Sequence, residues 1–228
     1  MKSITLQPYW HSTKASLFGL FIGILVCIPV LLPFGTEEKD FNQPIPSLLA
    51  YIVSNLVMLI YGQASLKTKA IISKAKAYDF IKYLPLFFVF FIVMDVWTFY
   101  IKLPSFSDTI FKNQINQNQS LFFVSIVIVA PILEELVFRG VILSYLLKHK
   151  SEWAAILFSA FLFGLIHLSP DQMFFAFFAG IFLGYIYVKS QNILIPIFFH
   201  AINNALSFVY MQNNIKSFLD LFNHQNIF

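Results

Sequence analysis

Three charged residues interrupt one apolar stretch of the sequence. Residues 130–140 read APILEELVFRG and place Glu134, Glu135 and Arg139 within a run, 120–147, that otherwise consists largely of Ile, Val, Leu and Phe. A charged group near the centre of a bilayer costs about 3 kcal/mol on insertion scales, so three together call for a reason. A spacing of four residues stacks Glu135 and Arg139 on one helix face, and we expect them to pair. Glu134, rotated by about 100°, is then left either to protonate or to line a polar cavity.

Two polar pairs follow in later apolar segments. Phe163 and His167 are four residues apart in FLFGLIHLS, and His200 and Asn204 have the same separation in FFHAINNAL. One helical turn separates the members of each pair, so each pair shares a helix face. A single histidine near a helix end is more often a hydrogen-bonded structural residue. A carboxylate, two histidines and an asparagine together have the donors and acceptors needed to activate a water and hold an oxyanion, which indicates hydrolysis.

The composition requires apolar helices to position these residues. Of 228 residues, 58% are hydrophobic and 11% are charged, far below the roughly 25% charged residues of soluble domains. The lysines form no basic helix or stripe, so no nucleic-acid partner is expected, and the single Cys27 excludes an intramolecular disulfide and a Cys-rich metal site. We expect an all-α fold, a polytopic transmembrane helical bundle that forms one integral membrane domain over residues 1–228.

Apolar runs of about 17 to 25 residues can span a bilayer, and the sequence contains about seven (six to eight) of them. They cover roughly residues 17–34, 46–63, 80–101, 120–147, 153–168, 172–188 and 192–210, with an Asn-rich amphipathic tail after Gln212. The fifth and sixth are short, which allows a tilted or re-entrant course. In the sixth, Ala176, Gly180 and Gly184 form a small-xxx-small stripe that predicts close helix packing.

Lysine distribution predicts the orientation. Ten lysines fall on the side of the N-terminus and four on the other side of these spans. By the positive-inside rule the N-terminus is cytoplasmic and, with seven spans, the C-terminal tail lies outside. The excess of Lys over Arg, with abundant Asn, Ile and Phe, favours a bacterial source and therefore a bacterial plasma membrane.

The three patterns read, in chain order, E-E-x-x-x-R, F-x-x-x-H and H-x-x-x-N. In this order and on transmembrane helices they resemble the motifs of the intramembrane peptidases grouped as CAAX proteases and bacteriocin-processing enzymes, the CPBP or Abi family, which is related to the type II CAAX prenyl proteases. The resemblance covers about residues 130–205, and it places a motif-bearing peptidase core at about 120–210.

The resemblance implies catalytic roles for four residues. Glu134 would be the general base and His167 would share the activated water, while His200 and Asn204 would stabilise the oxyanion or complete the water site. The same four side chains are also acceptable zinc ligands, so the expectation is either no cofactor or a divalent metal.

The resemblance also implies supporting residues and a setting. Glu135, Arg139 and Phe163 would hold the motifs in shape. The expected partners are a peptide or membrane-protein substrate and membrane lipids, and the expected activity is endopeptidase cleavage in bacteriocin or peptide-signal processing, or in self-immunity.

Two other functions compete with this one. A non-enzymatic bacteriocin immunity or scaffold protein would keep the polar residues as a structural network, and would tolerate a change at Glu134. A transporter would use Glu134 on a proton path, but the sequence lacks inverted repeats and paired broken helices. By helical rise His200 lies roughly 12 Å and His167 roughly 22 Å from the starts of their spans, so a shared site requires staggered, tilted or re-entrant helices.

Overall fold

The computed structural model of the protein describes residues 44–101, 103–105, 107–167 and 169–213. Within these ranges the regular structure is helical and contains no strand, which confirms the all-α prediction for this part of the chain. The span predicted at 17–34 and the tail predicted after Gln212, apart from Asn213, lie outside the described residues.

The helices follow one another with short connections. In chain order they are α1 (Pro44–Leu66), α2 (Ala77–Ile81), α3 (Leu84–Tyr100), α4 (Ser107–Phe123), the π-helical segment π1 (Val124–Val129), α5 (Ala130–Glu135), the π-helical segment π2 (Leu136–Leu143), α6 (Ser144–Leu146), α7 (Glu152–Leu165), α8 (Pro170–Ser190) and α9 (Leu194–Gln212). The elements from α4 to α6 join without a loop. We call their apolar part, Phe111–Leu146, the motif helix.

Five helices of the described chain are long and apolar enough to cross a membrane: Leu48–Leu66, Ala77–Tyr100, Phe111–Leu146, Pro170–Ser190 and Leu194–Gln212. The sixth predicted span in this part of the chain, 153–168, corresponds to α7, whose 14 residues extend about 21 Å against a hydrocarbon core of about 30 Å. The segment predicted at 172–188 is longer than expected, because α8 has 21 residues. The total of about seven spans stays a prediction.

The motif helix has a kink at Asn118, and its bonding is π-helical in the segment that precedes Pro131. The Ala130 N–H bonds to the Ser125 carbonyl, five residues back, and Pro131 has no N–H with which to continue the ladder. The Ile126 carbonyl is therefore available to a donor from another helix. Such π-helical insertions within α-helices are frequently found at functional sites.

The segment 67–76, which joins α1 to α2, is tied to the turn between α8 and α9. The Ile193 N–H donates to the Ile71 carbonyl at 2.8 Å, and Asn192 Nδ2 donates to the Ser73 carbonyl at 3.1 Å. A backbone bond and a side-chain bond therefore both hold this connection against the adjoining end of the bundle.

Helices α7 and α8 are antiparallel and approach closely through glycines. A Cβ at Gly180 would lie 2.9 Å from Ala160 Cα, and one at Gly164 would lie 2.9 Å from the Met173 carbonyl oxygen. Both distances are shorter than a Cβ tolerates, so only glycine allows this approach. The packing role predicted for the small-xxx-small stripe is confirmed at Gly180.

The motif helix after Glu135 is surrounded by a tightly packed apolar core. Its members come from α1, π2, α6, α7, α8 and the turn before α9, and they include Val137, Phe138, Val141, Leu143, Ala155, Ile156 and Tyr187, all buried. Burial of these side chains is the main favourable contribution to packing in this part of the bundle.

Candidate active site

Glu134 projects from α5 toward α1. Its Oε1 accepts a hydrogen bond of 2.6 Å from Tyr51 Oη, and its Oε2 lies 3.7 Å from His200 Nε2. The residue is 8% exposed. Since 3.7 Å exceeds hydrogen-bond length, one carboxylate oxygen is engaged and the other faces an imidazole nitrogen without bonding to it.

Glu135 and Arg139 form the predicted ion pair. Glu135 Oε1 lies 3.0 Å from Arg139 Nη1, and both residues are at most 1% exposed. Arg139 Nη2 donates to the Gly180 carbonyl at 3.2 Å, and the guanidinium lies 4.7 Å from the centroid of the Phe163 ring. A buried charge pair needs further bonds to offset its desolvation. Two groups supply these interactions. They are the Gly180 carbonyl, which the close packing of α8 brings within reach, and the face of the Phe163 ring.

His200 is oriented by the same carboxylate. Its Nδ1 lies 2.9 Å from Glu135 Oε1. An ionised carboxylate only accepts hydrogen bonds, so Nδ1 carries the proton and donates it. This leaves Nε2 as the ring nitrogen that faces Glu134. Glu135 therefore has two contacts. It pairs with Arg139, as the sequence predicted, and it orients His200.

His167 bends back onto the last turn of its own helix. Its Nδ1 lies 2.8 Å from the Phe163 carbonyl oxygen, which can only accept, so Nδ1–H donates and Nε2 is left for another partner. The Phe163 ring meets His167 edge to face at 4.9 Å and His200 at 5.7 Å. The two histidines thus flank one phenylalanine, although they lie at very different distances from the starts of α7 and α9. The staggered arrangement that the sequence required is present.

Asn204 ties α9 to the motif helix. Its Nδ2 donates a hydrogen bond of 2.8 Å to the Ile126 carbonyl, the group that Pro131 leaves available. The side chain keeps its Oδ1 and one further N–H. Asn204 therefore has a structural contact and a remaining donor.

A cavity of about 1310 Å³ joins these groups. Glu134, His167, His200 and Asn204, the four residues predicted to be catalytic, all line it, together with Tyr51. Ligand pockets commonly measure about 300 to 1,000 Å³, so this cavity has room for several amino-acid side chains. Most of its wall is apolar, with phenylalanines from α3, α8 and α9.

Tyr51 is the site residue that the sequence did not reveal. It is one of ten tyrosines and lies in an apolar span, and the polar residues at helical spacing from it, Ser54 and Asn55, bond to its backbone carbonyl and not to its hydroxyl. Its contact with Glu134 joins residues 83 positions apart, and no local pattern encodes such a contact.

The arrangement of these side chains does not fit a metal site. Across the described ranges, no group of three His, Cys, Asp or Glu residues lies close enough to hold a metal ion. His167 and His200 each donate from Nδ1 to a protein acceptor, which leaves one ring nitrogen of each, Nε2, as a potential ligand. A requirement for a divalent metal remains a sequence-based expectation.

Comparison with known proteins gives two matches. Residues 116–206 match the family described as type II CAAX prenyl endopeptidase Rce1-like. A stretch of 93 residues is 28% identical to the Bacillus subtilis protein named "Putative membrane peptidase YdiL", and it covers 41% of this chain and 38% of that protein. The chain thus aligns with well under half of the length of this relative. No solved structure matches the chain significantly. The segment 116–206 contains all three motifs.

Proposed function

Since the segment 116–206 belongs to the type II CAAX prenyl endopeptidase Rce1-like family and the chain is a multi-pass membrane protein, we propose that it is an intramembrane endopeptidase that hydrolyses a peptide bond with a water activated by Glu134. The observation that carries this proposal is the meeting of Glu134, His167 and His200 in the wall of one cavity, although they come from three separate helices.

The first step is the activation of water. Tyr51 holds Glu134 Oε1, so the carboxylate has a fixed direction, and Oε2 and His200 Nε2 are separated by 3.7 Å. A water beside this gap can lie within hydrogen-bond distance of both atoms. In this proposal Glu134 takes one proton from the water while the hydroxide attacks the scissile carbonyl carbon, and the carbonyl π bond becomes an oxyanion.

The second step is the collapse of the tetrahedral intermediate. The C–N bond breaks, and the proton held by Glu134 passes to the leaving amine, which restores the carboxylate. Asn204 has one N–H remaining for the oxyanion, and Glu135 holds the orientation of the His200 ring through Nδ1. His167 presents Nε2 to the same cavity and orients the water.

The substrate that fits this cavity is an extended segment of a peptide or membrane protein. An apolar wall favours apolar side chains next to the scissile bond, and the low dielectric strengthens the polar contacts that remain. Processing of a bacteriocin or peptide signal, or self-immunity, in a bacterial plasma membrane is the narrower setting that the family resemblance suggests. We include it in the proposal.

The test compares purified protein with its Glu134→Gln variant on a library of synthetic peptides, with new termini identified by mass spectrometry. General-base loss lowers rates by about 10² to 10⁴, so the variant is expected to lose the cleavages that the unmodified protein makes. The matched control is Glu152→Gln, because Glu152 is exposed and pairs with Lys189 at 2.7 Å. It should cut normally.

The same experiment separates the proposed function from its rival. A Glu134→Gln variant that cuts at the normal rate would remove the mechanism. If no form of the protein cuts any peptide, a non-enzymatic immunity or scaffold role is the better account. Far-UV circular dichroism of each variant shows that the helical fold is retained.

A further inference from the structure

The cavity takes its wall from one end of α1 and of the motif helix. From α1 it includes Leu48 and Tyr51, near the start of that helix. From the motif helix it includes residues between Phe111 and Glu134 and none after Glu134. Along the motif helix, Glu134 is therefore the last residue that lines the cavity.

Helices α7, α8 and α9 also line the cavity over only part of their length, whereas α3 lines it along most of its length, from Phe87 to Tyr100. α7 contributes only residues at its end, from Phe163 to His167, and α8 contributes residues only from Asp171 to Leu183 in its first two thirds. α9 contributes residues from Phe199 onward. Within the described chain, none of the residues 66–86, 135–162 or 184–198 lines the cavity. The cavity therefore extends from the catalytic groups toward one face of the bundle and is closed toward the other.

The closed face carries most of the lysines. Contacts place its connections side by side: Lys148 Nζ donates to the Lys67 carbonyl at 2.9 Å, and Lys189 pairs with Glu152 at 2.7 Å. The lysines of these connections are Lys67, Lys69, Lys74, Lys76, Lys82, Lys148, Lys150 and Lys189. At the opposite face, the described residues include one lysine, Lys112, in the first turn of the motif helix.

Lysine and arginine next to spanning helices are enriched on the cytoplasmic side, and this bias in short connections sets the orientation of membrane proteins. The lysine-rich face is accordingly the cytoplasmic one. We infer that the active-site cavity opens on the non-cytoplasmic side of the membrane, so that the substrate is an exported or membrane-inserted polypeptide whose scissile bond reaches Glu134 from outside. This inference rests on the proposed function for the identity of the reaction, but its geometric part stands on the cavity and the charges alone.

The closed face gives a cytoplasmic peptide no route to Glu134. Between Glu134 and that face lie the buried side chains around π2 and the bonded connection 67–76. Opening such a route would expose a well-packed apolar core to water. The class of reaction that supplies the substrate is therefore translocation or membrane insertion of a polypeptide.

The first arm of the test measures orientation. In a Cys27→Ser background, single cysteines are introduced by Ile101→Cys, at the cavity end of α3, or by Lys150→Cys, on the lysine-rich face; both positions are exposed. Intact cells are treated with a membrane-impermeant maleimide. The expected result is labelling of Ile101→Cys in intact cells and labelling of Lys150→Cys only after permeabilisation. Any other pattern overturns the inference.

The second arm measures access of substrate. A membrane-impermeant peptide that the purified protein cleaves is added to intact spheroplasts that contain the protein or its Glu134→Gln variant. Cleavage without permeabilisation by the unmodified protein alone supports the inference. Cleavage that appears only after permeabilisation overturns it and leaves the proposed function standing. Equal cleavage by the Glu134→Gln variant removes the proposed function instead.

Discussion

The same helices form two halves of the bundle, one on each side of Glu134, and the two halves are packed differently. In the closed half, from Glu135 of the motif helix to the lysine-rich face, small residues let helices approach and apolar side chains fill the interior. In the open half, on the other side, phenylalanines line a cavity of about 1310 Å³. The closed half holds the charged groups in place, and the open half has the space that a substrate requires.

Two consecutive carboxylates form the boundary between these halves. Glu135 is fully buried and contacts Arg139 and His200, whereas Glu134 lines the cavity and contacts Tyr51. A rotation of about 100° between neighbouring helical residues is enough to bury one acid completely and to place the other in the cavity wall. Identical side chains can therefore have different roles because their surroundings differ.

The largest effect is expected in the closed half, from Arg139→Met. Removing one partner of a buried ion pair leaves the other charge uncompensated and costs about 3 to 5 kcal/mol. Glu135 would lose its cation in a site with 0% exposure. We expect a marked loss of folded protein, measured by thermal unfolding in detergent.

Two comparisons sharpen this prediction. Lys189→Met, which breaks the exposed pair with Glu152, should cost at most about 1 kcal/mol. The double variant Glu135→Gln/Arg139→Met should be more stable than Arg139→Met, because it removes the orphaned charge as well. Equal stability of the single Arg139 and Lys189 variants would contradict the distinction between buried and exposed pairs.

Tyr51→Phe should affect the open half more than the fold. A hydrogen bond to a charged group contributes about 1.5 to 3 kcal/mol, so loss of the 2.6 Å bond to Glu134 should lower kcat by about 10- to 100-fold. KM should change little, since the ring is retained. The matched control is Tyr61→Phe, on the same helix and 46% exposed. An unchanged kcat for Tyr51→Phe would show that Glu134 does not need this donor.

Gly180→Ala should cost less and should act through packing. The new Cβ would lie 2.9 Å from Ala160 Cα, and a backbone neighbour moves only if a helix moves, which suggests a destabilisation of about 1 to 3 kcal/mol. At Gly184 the nearest atom would be Ile156 Cγ2 at 3.3 Å, in a side chain that can adjust. Thermal unfolding should therefore rank Gly180→Ala below Gly184→Ala. The reverse order would contradict the assigned α7–α8 contact.

The smallest expected effect is that of a chelator. The described residues offer no group of three His, Cys, Asp or Glu side chains that could hold a metal ion. Peptide cleavage should therefore be unchanged by prolonged treatment with 1,10-phenanthroline. Loss of activity that returns on addition of zinc would contradict the metal-free mechanism.

Sequence patterns predicted local and chemically unusual features better than distant contacts. The pairing of Glu135 with Arg139 follows from their helical spacing, and the convergence of His167 and His200 follows from the cost of polar groups in apolar spans. The long apolar helices could be predicted from hydropathy alone, because a spanning helix is apolar along most of its length.

Other features depend on neighbours that the sequence does not identify. Tyr51 lies on a different helix from Glu134, and 83 positions of sequence separate the two residues. The hydrogen bond from Asn204 to the Ile126 carbonyl depends on a π-helical segment next to Pro131. The sequence showed the proline, but it did not show that the turn before it is π-helical. The bonds that close the lysine-rich end of the bundle, such as Ile193 to Ile71, join backbone groups whose partners have no signature in residue type.

The most direct test of the central claim is a double-mutant cycle on Glu134 and His167. The claim is that both act on one shared water, and residues that act as a unit are strongly non-additive. With a peptide that the protein cleaves, Glu134→Gln/His167→Ala should be no slower than Glu134→Gln alone, within a factor of about three. If the losses of the two single variants multiply in the double variant, the residues act independently and the shared-water site is wrong.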